Sequence, residues 1–263
     1  MFVKKSFVAG ILGLMFSTAA HAAIIVDYDL TGLSGTAGME PATVAPTTVD
    51  PGVTGIVLSR GPGLDVANLT NGFSADQYSV GTAGDTLAEA VAAGDFFQWG
   101  FTTNANTITA LTQLGFSLRR SATDGPSHYQ VQASLDGFAT AGTAVATFDY
   151  LGRSSGTAPG VVAPFQWMTT DTPGQGNGNQ ILPAALLLAD DPILQGIPGN
   201  TAVTFRLYGW GNGAVAISNT VALGRIDGPT VEGVIVEIPE PASFVLAGCA
   251  IAGLVVSRRR FNG

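Results

Sequence analysis

Beyond Lys5 the chain contains no lysine, its single cysteine, Cys249, lies near the C-terminus, and its only histidines are His21 and His128. Each scarcity removes a class of chemistry. A zinc site built on several His or Cys ligands needs more of both than residues 23–237 supply, since these hold only His128 and no cysteine. The same stretch has no disulfide to close, so packing, with bound metal as a candidate addition, has to stabilise it. A Ser-His-Asp arrangement would have to use His128, which sits in a cluster of turn residues, and the chain has no Gly-x-Ser-x-Gly elbow. Paired carboxylates of a polysaccharide hydrolase stay open, because their separation is a three-dimensional property. Basic charge is also scarce. Residues 23–237 carry six arginines against eighteen Asp and Glu, a formal charge of −12. That balance disfavours nucleic acid and anionic lipid, and suits soluble secretion or divalent cations. The glycine-rich run Gly174–Asn179 lacks the Lys and Ser/Thr of a phosphate loop and reads as a mobile surface loop.

What is present begins with the two ends. Lys4 and Lys5, the apolar stretch Phe7 to Phe16 and the small-x-small triplet Ala20-His21-Ala22 form the three parts of a secretory signal peptide over residues 1–22. The mature chain is then expected to start at Ala23. At the other end, Pro239 and Pro241 lack backbone donors and favour extended neighbours, so Ile238-Pro239-Glu240-Pro241 reads as a solvated spacer at which the fold ends. The uncharged run Phe244 to Val256 would extend roughly 20 Å as a helix, short for a hydrocarbon core of about 30 Å. Arg258, Arg259 and Arg260 follow and would hold the extreme C-terminus on the cytoplasmic side. Cys249 lies within that run, where a small apolar helix residue is the plain reading and lipidation the alternative.

The proline–glutamate–proline element, the short apolar helix and the terminal arginines, in this order, resemble the PEP-CTERM sorting signal of exopolysaccharide-producing Gram-negative bacteria. Ile238 stands where that signal usually has Val. The resemblance implies recognition and processing by an exosortase, transient anchoring in the inner membrane, and release to the cell surface, the extracellular matrix or the medium. It implies a sorting route and no activity.

Between the ends, roughly 215 residues (23–237) suffice for one domain with a sizeable core. Short apolar runs alternate with Gly, Pro, Asn, Asp and Thr, which predicts an all-β body. Ile24, Val26, Tyr28 and Leu30 predict a first strand, residues 31–51 a long surface loop, and 53–59 and 64–69 weak strands. Residues 85–93 predict a short helix closed by Gly94, and 96–103 a strong strand with Phe97, Trp99 and Phe101 on one face. The run 184–189 fits either strand or short helix.

A strand is expected over 107–120, then a turn cluster over 121–126. Tyr129, Val131, Ala133 and Leu135 alternate with Gln130, Gln132 and Ser134 before Asp136-Gly137-Phe138. This stretch resembles the Phe-x-Leu-Arg-Arg-Ser, Gly-Pro, Tyr, Ser-x-Asp-Gly-Phe pattern of extracellular PEP-CTERM bodies, with Asp124 interrupting the usual Thr-Gly-Pro turn. The resemblance continues at Thr204 to Trp210, at Ile226-Asp227-Gly228 and in the closing strand 231–237. It implies a single jelly-roll or lectin-like sandwich and brings no catalytic set.

Four groups are candidates for function. Arg119, Arg120 and Arg206 are expected on or beside strands, first as partners of nearby carboxylates and second as a grip on acidic polysaccharide. Asp136-Gly137 and Asp227-Gly228 read first as hairpin turns. Asp27, Asp29, Asp190, Asp191 and Asp227 are weak candidates for Ca²⁺, since no acid-rich loop of defined spacing accompanies them. Of Trp99, Trp167 and Trp210, the last, among glycines, is the best candidate for a sugar-stacking platform, a half-buried edge residue being the plainer reading. The expectation is a non-enzymatic exported surface or biofilm-matrix protein. Carbohydrate binding is the second reading.

Overall fold

A computed structural model describes residues 22–33, 40–67, 72–78, 86–120, 126, 128–149, 181–211, 221–224 and 228–238. Among them lie β1 (Ala23–Asp27), β2 (Thr43–Val44), β3 (Thr48–Val49), β4 (Val53–Arg60), β5 (Asp65–Val66), β6 (Phe73–Asp76), α1 (Leu87–Ala93) and β7 (Phe96–Thr103). They are followed by β8 (Thr107–Arg120), β9 (His128–Ser134), β10 (Thr143–Asp149), β11 (Ile181–Leu187), β12 (Ile197–Pro198), β13 (Ala202–Trp210), β14 (Val221–Leu223) and β15 (Thr230–Glu237). The body is all-β, built of two antiparallel sheets.

β8 is the spine of the nine-stranded sheet. Along one edge it pairs with β15 at residues 107–115 and then with β14 at 118–120. Along the other it pairs with β12 and then β11. Each flank is thus one long antiparallel path with an excursion in the middle, and each excursion leaves backbone groups of β8 to be satisfied. The Gly224 amide donates to the Ser117 carbonyl at 2.7 Å on one side. On the other, the Gln195 side chain donates to the carbonyls of Leu111 and Leu188 at 2.9 and 3.0 Å, standing in for missing strand. β1 and β3 extend the sheet beyond β15, and β6 and β5 extend it beyond β14.

The apolar positions of β8 change parity along the strand: Leu111 is buried, and so are Leu114, Phe116 and Leu118. A strand keeps every second residue on one face, so the odd-to-even change requires an extra residue. The β15 register supplies it, passing from Gln113 to Leu111 and leaving Thr112 as the bulge.

The second sheet runs β10-β9-β13-β7-β4-β2. Its inner face brings Phe97, Trp99 and Phe101 of β7 to zero exposure, as alternation predicts. Trp99 meets Phe116 of the opposing sheet edge-on at 6.0 Å and stacks on Phe205 at 6.2 Å. Burying each such side chain contributes roughly 1.5–3 kcal/mol. Tyr28 joins the sheets differently. Fully buried just after β1, it places its hydroxyl between the carbonyls of Ile56 and Gly100, and accepts from the Gly100 amide at 3.2 Å.

α1 matches expectation closely. Thr86 and Glu89 form a reciprocal capping box, and Gly94 closes the helix with a left-handed φ of 83°.

Several expectations are corrected. Residues 31–51 are more than surface loop: β2 and β3 lie there, and Glu40 is buried. Of the strand expected at 64–69, only Asp65–Val66 is described as strand. His128 opens β9 instead of sitting in a turn. The run 184–189 falls largely in strand β11, which its pairing with β8 decides. Asp136-Gly137 does lie in the hairpin connection between antiparallel β9 and β10, with Gly137 at φ 69°, but that connection is eight residues long.

Candidate functional site

The outer face of the six-stranded sheet gathers polar and aromatic side chains that alternate with the core. On β13 Arg206, Tyr208 and Trp210 share the face opposite Leu207, with Arg206 and Trp210 half-buried and Tyr208 buried beneath its neighbours. Pairing sets three rows across the strands. Arg206 lies between Gln98 of β7 and Gln132 of β9. Tyr208 lies between Phe96 and Gln130, with Thr147 of β10 beyond. Trp210 pairs with His128, which pairs with Asp149.

Arg206 is the centre. A carboxylate partner was expected; the guanidinium instead lies between two phenyl rings, 4.0 Å from the Phe96 centroid and 4.0 Å from that of Phe138. Its Nε donates to Gln98 Oε1 at 2.8 Å and its Nη1 to the Tyr208 hydroxyl at 3.3 Å. Tyr208 is held edge-on against Phe96 at 5.4 Å. The quadrupoles of the two rings attract the cation from both faces, which substitutes for an ion pair.

Phe138 reaches Arg206 through the Ser134–Phe138 turn. Asp136 accepts from the Ser134 hydroxyl at 2.6 Å and from the Thr140 amide and hydroxyl at 3.1 and 2.7 Å. These hydrogen bonds hold its carboxyl below the usual range. The Ser134 oxygen accepts the Phe138 amide at 2.8 Å. Phe138 itself sits at φ 65°, left-handed and unfavourable for a side chain of that size. The turn motif on β9 and the Thr-Phe-Arg-Leu-Tyr-Gly-Trp motif on β13 therefore converge at one guanidinium.

Around Arg206 the glutamines form a chain: Gln132 Nε2 donates to Gln130 Oε1 at 2.7 Å, and Gln130 Nε2 to Thr147 Oγ1 at 2.9 Å. Trp210 is half-buried at the end of the face and stacks on His128 at 5.8 Å. Trp99 belongs to the core, and Trp167 lies outside the described residues.

The carboxylates weighed for Ca²⁺ have other local work. Asp27 accepts the Thr230 hydroxyl at 2.5 Å. Asp29 accepts the Thr31 amide and hydroxyl at 2.9 and 2.6 Å, which lowers its pKa. Asp191 caps a 3-10 turn through the Ile193 amide, and Asp190 is exposed. Asp227 lies outside the described residues, among which no three His, Cys, Asp or Glu side chains cluster.

Ile238 is the first residue past β15. Its amide donates to the Asn106 carbonyl at 2.6 Å, and its side chain lines a cleft of about 510 Å³ with Pro51, Gly52, residues 104–107 and Glu237. Pro239, Glu240, Pro241, Cys249, Arg258, Arg259 and Arg260 lie outside the described residues, as do the side chains of Arg119 and Arg120 on β8. No helix among the described residues is long and apolar enough to cross a membrane.

The ion pair that does form was not anticipated. Arg60 Nη2 donates to Glu40 Oε1 at 2.9 Å, with both side chains almost wholly buried. Neither residue belongs to a motif; the only available signal was an acid in a stretch of loop composition. Gln130 and Gln132 were legible as an outward alternation, but nothing local marked them as a site. No family model matches the chain, and no curated protein or solved structure matches it.

Proposed function

We propose that this chain is a non-enzymatic exported protein whose β-sandwich body is carried to the cell surface or extracellular matrix after sorting and processing by an exosortase. One observation carries the reading: the sorting-like segment begins at Ile238, one residue after β15 ends. Processing beyond that point would leave every described strand pair intact. The five residues 239–243 reach no more than about 18 Å, so the inner-membrane anchor would hold the body close to the bilayer until cleavage. We take the body as a jelly-roll or lectin-like sandwich, in line with its two sheets and β-rich motifs. The test is the mass of the exported form from an exosortase-positive host and from its deletion strain. A shorter form in the first alone supports the reading, and an identical full-length tail in both refutes it.

The outer sheet face favours a second reading that is compatible with the first, carbohydrate recognition by the body. Trp210 offers a half-exposed ring, while the Gln98, Gln130, Gln132 and Thr147 side chains offer donors and acceptors suited to hydroxyl groups. Binding of soluble polysaccharides in affinity electrophoresis, lost in Trp210→Ala, tests it; absence of binding with and without Ca²⁺ removes it.

A further inference from the structure

Among the described residues the one ion pair is Arg60–Glu40. Among the described side chains Arg206 forms no ion pair, although acids outnumber bases in the body by eighteen to six. The placement is built. Phe96 and Phe138 cover both faces of the guanidinium, Gln98 fixes Nε and Tyr208 engages Nη1. Nε and Nη1 carry the hydrogen bonds of the guanidinium, and Nη2 has no protein acceptor among the described residues. The ring that covers one face comes from Phe138, whose backbone is at a left-handed φ of 65°.

We propose that the sheet face around Arg206 binds a carboxylate-bearing polysaccharide. Arg206 takes the uronate carboxylate, the Gln98, Gln130, Gln132 and Thr147 side chains meet ring hydroxyls, and Trp210 stacks on a sugar further along. This rests on the carbohydrate-binding reading and narrows it to acidic glycans. Three physical arguments favour that class. A guanidinium matches a carboxylate with two parallel hydrogen bonds, and the aromatic cage removes most of the side-chain freedom that binding would otherwise cost. The amides around it are neutral and can donate and accept at once, which suits hydroxyls better than a second charge. Arg206 and Trp210 are four residues apart on one strand, a spacing of roughly 13 Å that exceeds one sugar ring and calls for a polymer. Net charge opposes this binding at long range. A body at formal −12 repels polyanions, so uronate binding has to come from local contacts. At physiological salt that repulsion is screened beyond about 8 Å, whereas the caged contact persists.

The experiment measures binding of the exported protein to a polyuronate, to the same polymer with its carboxyl groups reduced to alcohols, and to dextran. Gln132→Glu places a carboxylate beside Arg206 at a partly exposed strand position and leaves the cage intact; Arg206→Gln removes the cation. Far-UV circular dichroism and thermal unfolding accompany both variants. The expected result is preference for the polyuronate and a roughly 10- to 100-fold loss of affinity in each variant, the scale of a charge-assisted hydrogen bond. Should Arg206→Gln fail to fold, Gln132→Glu decides alone. Equal binding of the carboxyl-reduced polymer overturns the carboxylate inference while sparing glycan binding. Polyuronate binding unchanged by Gln132→Glu also overturns it. Failure to bind any of the three polymers removes both readings.

Discussion

Replacing Arg60 by Met should cost the body a large part of its stability. Arg60 ends β4 in the six-stranded sheet, and its guanidinium reaches across to β6 of the other. Nε donates to the Ser74 carbonyl at 2.6 Å, Nη1 to the Pro41 carbonyl at 3.0 Å and Nη2 to Glu40 at 2.9 Å, with the Phe73 ring 3.6 Å beneath. Met fills much of the volume and satisfies none of these acceptors. Removing one partner of a buried pair costs about 3–5 kcal/mol, because the other charge is left desolvated, whereas an exposed pair is worth about 1 kcal/mol or less. Side-chain exposures of 5% and 0% decide for the larger figure. With a urea dependence of about 2–3 kcal/mol/M, the midpoint should fall by roughly 1–2 M. The acid side supplies a second readout. Ser74 Oγ lies 2.7 and 2.9 Å from the Glu40 oxygens and 2.5 Å from the Ala67 carbonyl, yet it has one proton to give. A proton on Glu40 would complete the set, and burial does push the Glu40 carboxyl up despite Ser74 and Arg60. A group whose pKa is raised by folding contributes stability below its unfolded value and loses it as pH rises through the folded one. Without Arg60 the Glu40 pKa rises further, so the Arg60→Met deficit should be largest near neutrality and shrink on acidification. Adding Glu40→Gln to Arg60→Met should recover part of the loss. A deficit below about 1 kcal/mol, or one that ignores pH, would show that the pair behaves as a surface contact and refute the reasoning.

Burial pushes the Tyr28 phenol up to about 12, so its contribution is intact below the unfolded value of 10.0 and drains as pH rises between the two. At 1.36 kcal/mol per unit, that is up to about 2.7 kcal/mol. Tyr28→Phe should therefore narrow its stability gap to the parent protein as pH rises from about 9 to about 12; a constant gap in urea midpoints contradicts the assignment. Phe138→Gly exchanges a strained left-handed residue for one that tolerates φ 65°, at the loss of one ring from Arg206. The gain of about 1 kcal/mol in backbone strain and the loss of about 0.5–1 in stacking should nearly cancel in chemical denaturation. A loss above about 2 kcal/mol would mean that the ring supports the core as well.

Much of the local architecture was legible in the residues. The strands at 96–103 and 107–120 have their expected bounds, because alternation and β-branched or aromatic content act within the strand itself. The helix before Gly94 was legible for the same reason, its stop signal lying within one turn. For the candidate site the alternation on β9 showed that Gln130 and Gln132 face outward, and the glycines around Trp210 marked it as a candidate platform. Neither showed what these side chains meet. Arg206 was expected to seek an acid, since acids are abundant and the phenyl rings that cage it come from β7 and from the turn after β9.

The sequence by itself therefore determined the inner face of β7, the outward glutamines of β9, the bounds of β7 and β8 and the helix closed by Gly94. Only the tertiary structure decided which strands lie side by side, that Thr112 is an extra residue in the spine, that Glu40 is interior, and that Arg206 is held by rings. Period and propensity act between residues a few positions apart, whereas sheet order and burial are set by contacts across long stretches of chain, such as the 108 positions between Gln98 and Arg206. A single strand carries no record of which neighbour will cover it.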